Sequence, residues 1–363
     1  MTVKKNQYFP QIVLHPGETL AEKLDEMSMG PKEFAVRTGK PEKTIISILK
    51  GESSITPDMA VQFESVTKIP ANFWMRKQQA YNEYLARVKS EELIKSAISW
   101  GKSFPYSEMA KLGWVPKKDK IEEKVKELLS FFRMSKHTAW EQYYLNQELK
   151  VAFRISLCHT KNPYSISAWL RQGELQAESL LANTYSDKLL KEALPDFKQI
   201  MSDHPEDLFS QLQKRCIETG IKLVYTPCMP KAPISGSTRW INDTPIIQLT
   251  GRYRRNDSFW FTFFHEIGHI LLHGKKDIFL ENIEYTDKEI KKEKEADDFA
   301  IKWTFSIEEE KKLLEKDIIT EKDILSYAKK INTHPAIIIG RLQHEQLIPY
   351  SVGRSFLKPI IFE

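Results

Sequence analysis

The sequence predicts an α+β chain: an all-α N-terminal region, a helical connector, a small sheet-plus-helix module and a helical C-terminal extension. Three observations carry this. Apolar residues recur at helical spacing through roughly the first 215 positions. At Gly220 the texture changes to short alternating runs bounded by prolines. Then comes an apolar helical run, Phe259 to His273, that holds His-Glu-x-x-His at His265, Glu266 and His269.

Composition narrows the classes. A chain of 363 residues has room for two or three domains. With 41% hydrophobic and 28% charged residues it is an ordinary globular sequence, neither disordered nor fibrous. A net charge of +5 permits contact with nucleic acid without requiring it. Cys158, Cys216 and Cys228 are too few and too widely spaced for a disulfide framework or a cysteine metal site, which fits a reducing cytoplasm. Neither a signal peptide nor an apolar run of about 20 residues is apparent, so no membrane partner is expected.

Residues 1–90 read as the first domain. Pro16 to Leu24 forms an amphipathic helix with Leu20, Leu24 and Met27 inward. Gly30-Pro31 restarts the chain, and Phe34, Ala35 and Val36 belong to a second helix closed by Gly39. Pro41 suits the first turn of a third helix that ends at Gly51. Two short helices about a tight turn containing Gly make a helix-turn-helix, whose second helix enters the major groove. Ile45, Ile48 and Leu49 anchor that helix, leaving Glu42, Lys43, Thr44, Ile46 and Ser47 toward solvent or DNA, with Lys50 at its end. Helices over Pro57–Thr67 and Ala71–Ala86 follow.

This span resembles a HigA-type antitoxin domain of the XRE helix-turn-helix class. The residues that carry the likeness are Pro16-Gly-Glu18, Phe34-Ala35, Gly39, Ile48-Leu49-Lys50-Gly51, Ile55 to Ala60, Phe73-Trp74, Gln78 and Tyr81. The resemblance implies an operator DNA partner, a homodimer and DNA contacts from Glu42, Lys43, Thr44, Ser47 and Lys50. Pro41 and Glu42 depart from it, standing where the class more often has a capping Ser and a polar or basic reader. Residues 1–90 hold thirteen basic and ten acidic side chains, so phosphate neutralisation is limited and DNA binding should be modest and dimer-dependent. The alternative is a helix-turn-helix used only for protein contacts.

Residues 91–215 read as a helical connector with room for a sensor, with clear helices over Ile121–Phe132 and Leu170–Thr184. Trp140, Tyr143 and Tyr144 suit core packing better than base stacking, and His137, His159 and His204 lack neighbouring ligands.

Residues 216–305 read as the module that carries the chemistry, and 306–363 as a helical extension around Ile318–Ile331 and Pro335–Gln343. Ile221–Tyr225, Ile234–Ile241 and Pro245–Leu249 alternate like strands, the last two joined across Asn242-Asp243. Pro245 suits a strand's first residue or an edge, and an edge strand here would add a substrate peptide to the sheet. Arg239, Arg252, Arg254 and Arg255 read as a charged rim, or as binders of acidic substrate groups.

Residues four apart stack on one helical face, so His265 and His269 can reach one ion, while Glu266 lies about 100° around, as a general base must. A catalytic zinc takes three protein ligands. Glu293 offers the third, one helical turn before Asp297, which would orient an imidazole. Ala296 and Ala300 share that face; Glu295 does not, and is the second choice of ligand.

Together these residues resemble the ImmA/IrrE metallopeptidases, which pair His-Glu-x-x-His with a downstream Glu-x-x-Ala-Asn/Asp helix. Gly236-Ser-Thr-Arg-Trp240, Pro245 to Leu249, Arg252 and Asp257 to Thr262 extend the match. The small sheet and helices then correspond to a zincin. The resemblance implies zinc, with manganese the alternative, an endopeptidase using Glu266, and a transcriptional repressor as protein substrate. An oxyanion donor is open among His273, Tyr253 and Arg252. The rival is a non-enzymatic HigA-like regulator whose metal site is structural or sensing.

Overall fold

The computed structural model describes residues 13–145, 162–230, 234–251, 255–274, 279–280, 287–316, 319–360 and 362. The chain divides into two compact units, Met1–Ser96 and Ala97–Glu363.

The first unit is built from α1 (Pro16–Glu26), α2 (Pro31–Thr38), α3 (Glu42–Leu49), α4 (Pro57–Thr67) and α5 (Ala71–Ser96). His15 caps α1, its Nδ1 accepting from the Gly17 N–H at 2.9 Å. A Cβ on Gly17 would collide with the Ile48 carbonyl oxygen, so the start of α1 presses on the end of α3. Gly39 ends α2 at φ 65°, a left-handed position that favours glycine. Pro41 stands just outside the first turn of α3, at ψ 136°, rather than within it. Leu20, Phe34, Ile45, Ile48, Phe63 and Trp74 are wholly enclosed. Helix α5 runs to Ser96 instead of stopping at Ala86. Its second half buries only Ile94, so it shows no apolar stripe; the Glu83–Arg87 pair and the lack of Gly or Pro sustain it.

The second unit opens with α6 (Ile98–Lys102), α7 (Tyr106–Lys111), α8 (Ile121–Phe131), α9 (His137–Tyr144), α10 (Pro163–Glu178), α11 (Asp187–Asp203) and α12 (Leu208–Thr219). Trp140 is fully buried and stacks on Tyr164 at 4.9 Å, with Trp100 6.0 Å away, which makes the aromatic group core. Helix α10 begins and ends earlier than Leu170–Thr184. Pro163 supplies its first turn, and beyond Glu178 the Asn183 backbone and side-chain amides are held by the Ile217 and Glu218 carbonyls of α12. His159 and Cys158 lie outside the described residues.

Then come β1 (Lys222–Tyr225), β2 (Gly236–Ile241), β3 (Thr244–Leu249), α13 (Asn256–His273), β4 (Phe279–Leu280), α14 (Asp287–Thr304), α15 (Ile307–Leu314), α16 (Glu321–Lys330) and α17 (Pro335–His344). The sheet order is β1-β3-β2-β4, with β1 parallel to β3 and β2 antiparallel to both of its neighbours. Asn242 and Asp243 turn β2 into β3 with φ of 48° and 63°, as a two-residue hairpin needs. Pro245 therefore lies in an inner strand, not at an edge; pairing with β1 starts one residue later, at Ile246. The two-residue strand β4 had no sequence signal.

Each sheet face has its own cover. Val224 and Ile246 pack on Ala177 of α10, while Leu223, Ile247 and Leu249 join the core around α13. On the α10 side, Gln248 Nε2 donates to the Trp169 carbonyl at 2.7 Å and Arg239 donates to the Leu170 carbonyl. Arg239 is 1% exposed and lies 3.4 Å from Glu174, so it is a buried tie between strand and connector and not a rim residue. Arg255 is bonded to Asp257, and Arg252 and Arg254 lie outside the described residues. On the other face α13 meets α14 closely: a Cβ on Gly268 would stand 3.2 Å from Ala296 Cα.

Helix α17 is capped by His334, whose Nδ1 accepts from Ala336. Its ring lies 4.8 Å from that of His204, which ends α11. Burial, then the charges of His204 and Lys358, push His334 down to about 4. Unfolded, the same group titrates near 6.5. The unfolded chain thus binds more protons between those values, and stability falls as pH drops from about 6.5 toward 4. His334→Asn keeps a capping acceptor and removes this titration. Calorimetry should show a smaller loss of Tm between pH 7 and pH 5 in the variant than in the wild type.

Candidate metal centre

Helix α13 carries His265, His269 and His273 one turn apart on one face, all three almost wholly buried in their side chains. Clearance at Gly268 and Ala296 lets α14 approach closely enough to bring its carboxylates to those rings. His265 Nε2 and His269 Nε2 are 2.8 Å apart, and each lies 3.4 Å from an oxygen of Glu293. The ligating atoms of His265, His269 and Glu293 all fall within 4.8 Å of one another.

The outer nitrogens are held as well. His265 Nδ1 is 2.9 Å from Asp297 Oδ1. His269 Nδ1 is 2.9 Å from His273 Nδ1, and His273 Nε2 is 3.0 Å from Glu295 Oε2. With the carboxylates ionised, protons sit on His265 Nδ1 and, through His273, on His269 Nδ1. Both Nε2 atoms then turn lone pairs toward the same point. Among the described residues no hydrogen-bond donor meets the buried Glu293 Oε1 there. Burial, and then the neighbouring His265, His273 and Lys292 charges, push His269 far below its ordinary value, so it is neutral and can ligate. Donors about 2.0–2.1 Å from a tetrahedral ion lie about 3.3 Å apart. Two facing lone pairs and a carboxylate at these separations fit a divalent cation.

Glu266 is 1% exposed and belongs to no ligand pair in this triad. The start of β2 lies against it: a Cβ on Gly236 would stand 2.5 Å from Glu266 Oε1, and Thr238 Oγ1 donates to the Glu266 carbonyl at 3.2 Å. Only glycine at 236 leaves the carboxylate its place.

Among the residues singled out in the sequence, the structure gathers His265, His269 and Glu293 at one point and sets Asp297 behind His265, on its Nδ1. Glu295 reaches His273 instead and is not among the clustered ligand atoms. His273 is engaged with His269 and Glu295, which makes it a support for the ring rather than a donor facing a substrate. Tyr253 and Arg252 lie outside the described residues. The two-step link from Glu295 through His273 to His269 has one trace in the sequence, the spacing 265, 269, 273.

In the first unit, α3 turns Ile45 and Ile48 inward and leaves Glu42, Lys43, Ile46 and Lys50 exposed. Thr44 and Ser47 are half-buried, and Ser47 Oγ lies 2.7 Å from Ser53 Oγ.

Residues 216–329 match the IrrE N-terminal-like domain of the M78 peptidases. Over 67 residues, 18% of this chain and 71% of the relative, it is 30% identical to YddM of Escherichia coli K12, an uncharacterized HTH-type transcriptional regulator. Two solved structures are similar over 23% of the chain. One is an addiction module antidote protein of a HigA family from Coxiella burnetii, 33% identical, 92% covered, TM-score 0.22. The other is the Pseudomonas aeruginosa antitoxin HigA with the higBA promoter, 28% identical, 94% covered, TM-score 0.22. Among the described residues no helix is long and apolar enough to cross a membrane.

Removing a partner that only orients a ligand typically weakens metal binding about 10–100-fold. Asp297→Ala and Glu295→Ala should each do so, while Glu293→Ala should cost most of the bound metal. Competition titration with a chromogenic chelator measures all three. Full occupancy in Glu293→Ala beside an empty Glu295→Ala would reverse the assignment.

Proposed function

We propose, taking as premise that this chain belongs to the HTH-type transcriptional regulators and carries an IrrE N-terminal-like peptidase domain, that it is a DNA-binding regulator with metal-dependent endopeptidase activity. Its protein substrate in this reading is a transcriptional repressor. The observation that carries it is the convergence of His265 Nε2, His269 Nε2 and Glu293 on one point, with the base candidate Glu266 adjoining. Zinc suits this donor set, with manganese the alternative.

A bound divalent ion supplies Lewis acidity for a peptide carbonyl and makes a water acidic near neutrality. Asp297 and the His273–Glu295 pair hold the two ligand rings in the orientation that offers Nε2. Glu266, positioned by Gly236 and Thr238, takes the proton of the attacking water and returns it to the leaving amine. Such assistance is typically worth about 10²–10⁴-fold. In the first unit Lys43, Thr44, Ser47, Glu42 and Lys50 form the face offered to operator DNA, presented by a homodimer. Lys43 and Lys50 supply phosphate charge, and Glu42 can accept from cytosine N4.

Glu266→Gln keeps shape and removes the base. Its metal content, read by elemental analysis, should match the wild type, while cleavage of candidate repressors, followed by mass spectrometry, should fall by about 10²–10⁴-fold. Normal gene regulation by a fully loaded Glu266→Gln protein would favour the non-enzymatic regulator instead. For DNA, selection from random duplexes by the full chain should enrich a palindrome. Lys43→Ala should weaken binding to it and reduce the salt dependence by about one unit of slope. Recovery of no preferred sequence would leave the helix-turn-helix as a protein-contact module.

A further inference from the structure

A cavity of about 510 Å³ runs from the metal centre to the C-terminal extension. His265, Glu293 and Asp297 stand at one end, and Ile337, Gly340 and Arg341 of α17 at the other. Its size lies within the range of about 300–1,000 Å³ usual for ligand pockets. Leu249, Phe259, Phe261, Ile301 and Phe305 give the walls an apolar stretch, beside the hydroxyls of Ser235, Ser258, Thr262 and Thr304 and the Arg255–Asp257 pair.

The Arg255, Asp257 and Arg341 charges on these walls already have partners, on the walls or beside them. Arg255 makes two bonds to Asp257, at 2.9 and 2.7 Å. Arg341 lies 3.1 Å from both Glu310 and Glu345. The hydroxyl of Thr304 donates to its own helix, at the Ala300 carbonyl. The wall from α17 is tightly seated, since a Cβ on Gly340 would collide with the Asp257 carboxylate. An acidic or basic guest would have to break one of these pairs, whereas an apolar side chain displaces only water.

We propose that this cavity is a specificity subsite for one large apolar side chain, such as Leu, Met or Phe, next to the scissile bond. Helix α17 of the C-terminal extension closes its far end. The proposal rests on the peptidase reading given above and adds a substrate class to it. Burying such a side chain rather than Ala should favour it by about 10–200-fold in kcat/KM.

The test uses the full-length, zinc-loaded protein. Peptide pools with one varied position are digested and the products sequenced by mass spectrometry. In parallel, zinc-loaded Glu266→Gln is titrated with labelled peptides that differ only by Leu, Ala or Asp at that position, read by anisotropy. Leu should exceed Ala by at least tenfold in both measurements, and Asp should rank below Ala. Ser258→Trp from α13 and Ile301→Trp from α14 narrow the cavity from two sides, and in each the ratio of Leu to Ala should fall at least fivefold. Cleavage with no preference among Leu, Ala and Asp overturns the subsite while leaving the peptidase standing. Selective binding of Leu peptides without any cleavage by the wild type overturns the peptidase while leaving the subsite. A ratio unchanged in both tryptophan variants, each with wild-type Tm and metal content, also overturns the subsite. Should neither variant fold, the two wild-type-shaped ratios still decide.

Discussion

The close passage of α13 over α14 is the constraint on which the centre depends. A single helix can align two imidazoles, but a third ligand at the same point has to come from another element. Gly268 and Ala296 make that approach sterically feasible, with a clearance that a side chain at 268 would press against. Glycine in a helix interior costs about 1 kcal/mol relative to Ala. Here that cost is offset by the burial of two faces against each other, including Ala296 and Ala300. Once the helices are in contact, Glu293 meets the Nε2 atoms, Asp297 meets Nδ1 of His265, and Glu295 meets His273. Three carboxylates on one helix thus find three different partners because their positions around its axis differ.

The hydrogen-bonding direction within this cluster matters as much as its distances. Each ring is fixed from behind, one by a carboxylate directly and one through a second imidazole. In both cases the proton is drawn to the side away from Glu293. The lone pairs are therefore oriented by the fold alone, and burial keeps His269 from taking up a proton. Preorganisation of this kind lowers the reorganisation that binding would otherwise require.

Much of this was legible in the residues themselves. The pairing of His265 with His269, the inward face of α3 and the Asn242-Asp243 turn follow from local periodicity and backbone preference, which sequence displays directly. The elements that escaped are those decided at a distance. Helix α5 extends past Ala86 because nothing stops it, although no apolar stripe announces it. Helix α10 ends early because α12 captures the Asn183 backbone. The two-residue β4 exists only as a partner for Ser237 and Thr238 of β2. Arg239 reads as a surface charge until the carbonyl of Leu170 and the carboxylate of Glu174 are seen beside it. The role of His273 likewise needed Glu295 brought in from α14.

The ties between α10 and the sheet bear on how such a protein can be taken apart. Arg239 donates to the Leu170 carbonyl and Gln248 to that of Trp169, and the Trp169 indole donates in turn to the Thr226 carbonyl. A fragment starting at residue 216 would keep every clustered ligand atom yet take from the Arg239 guanidinium and the Gln248 amide their carbonyl acceptors on α10, leaving them, among the described residues, only each other and the Thr226 hydroxyl. The portable cassette is consequently larger than the stretch that bears the motifs. A chimera joined after α10 would inherit a strand short of those partners, whereas one joined near Ala97 would carry the sheet together with the helix that completes it.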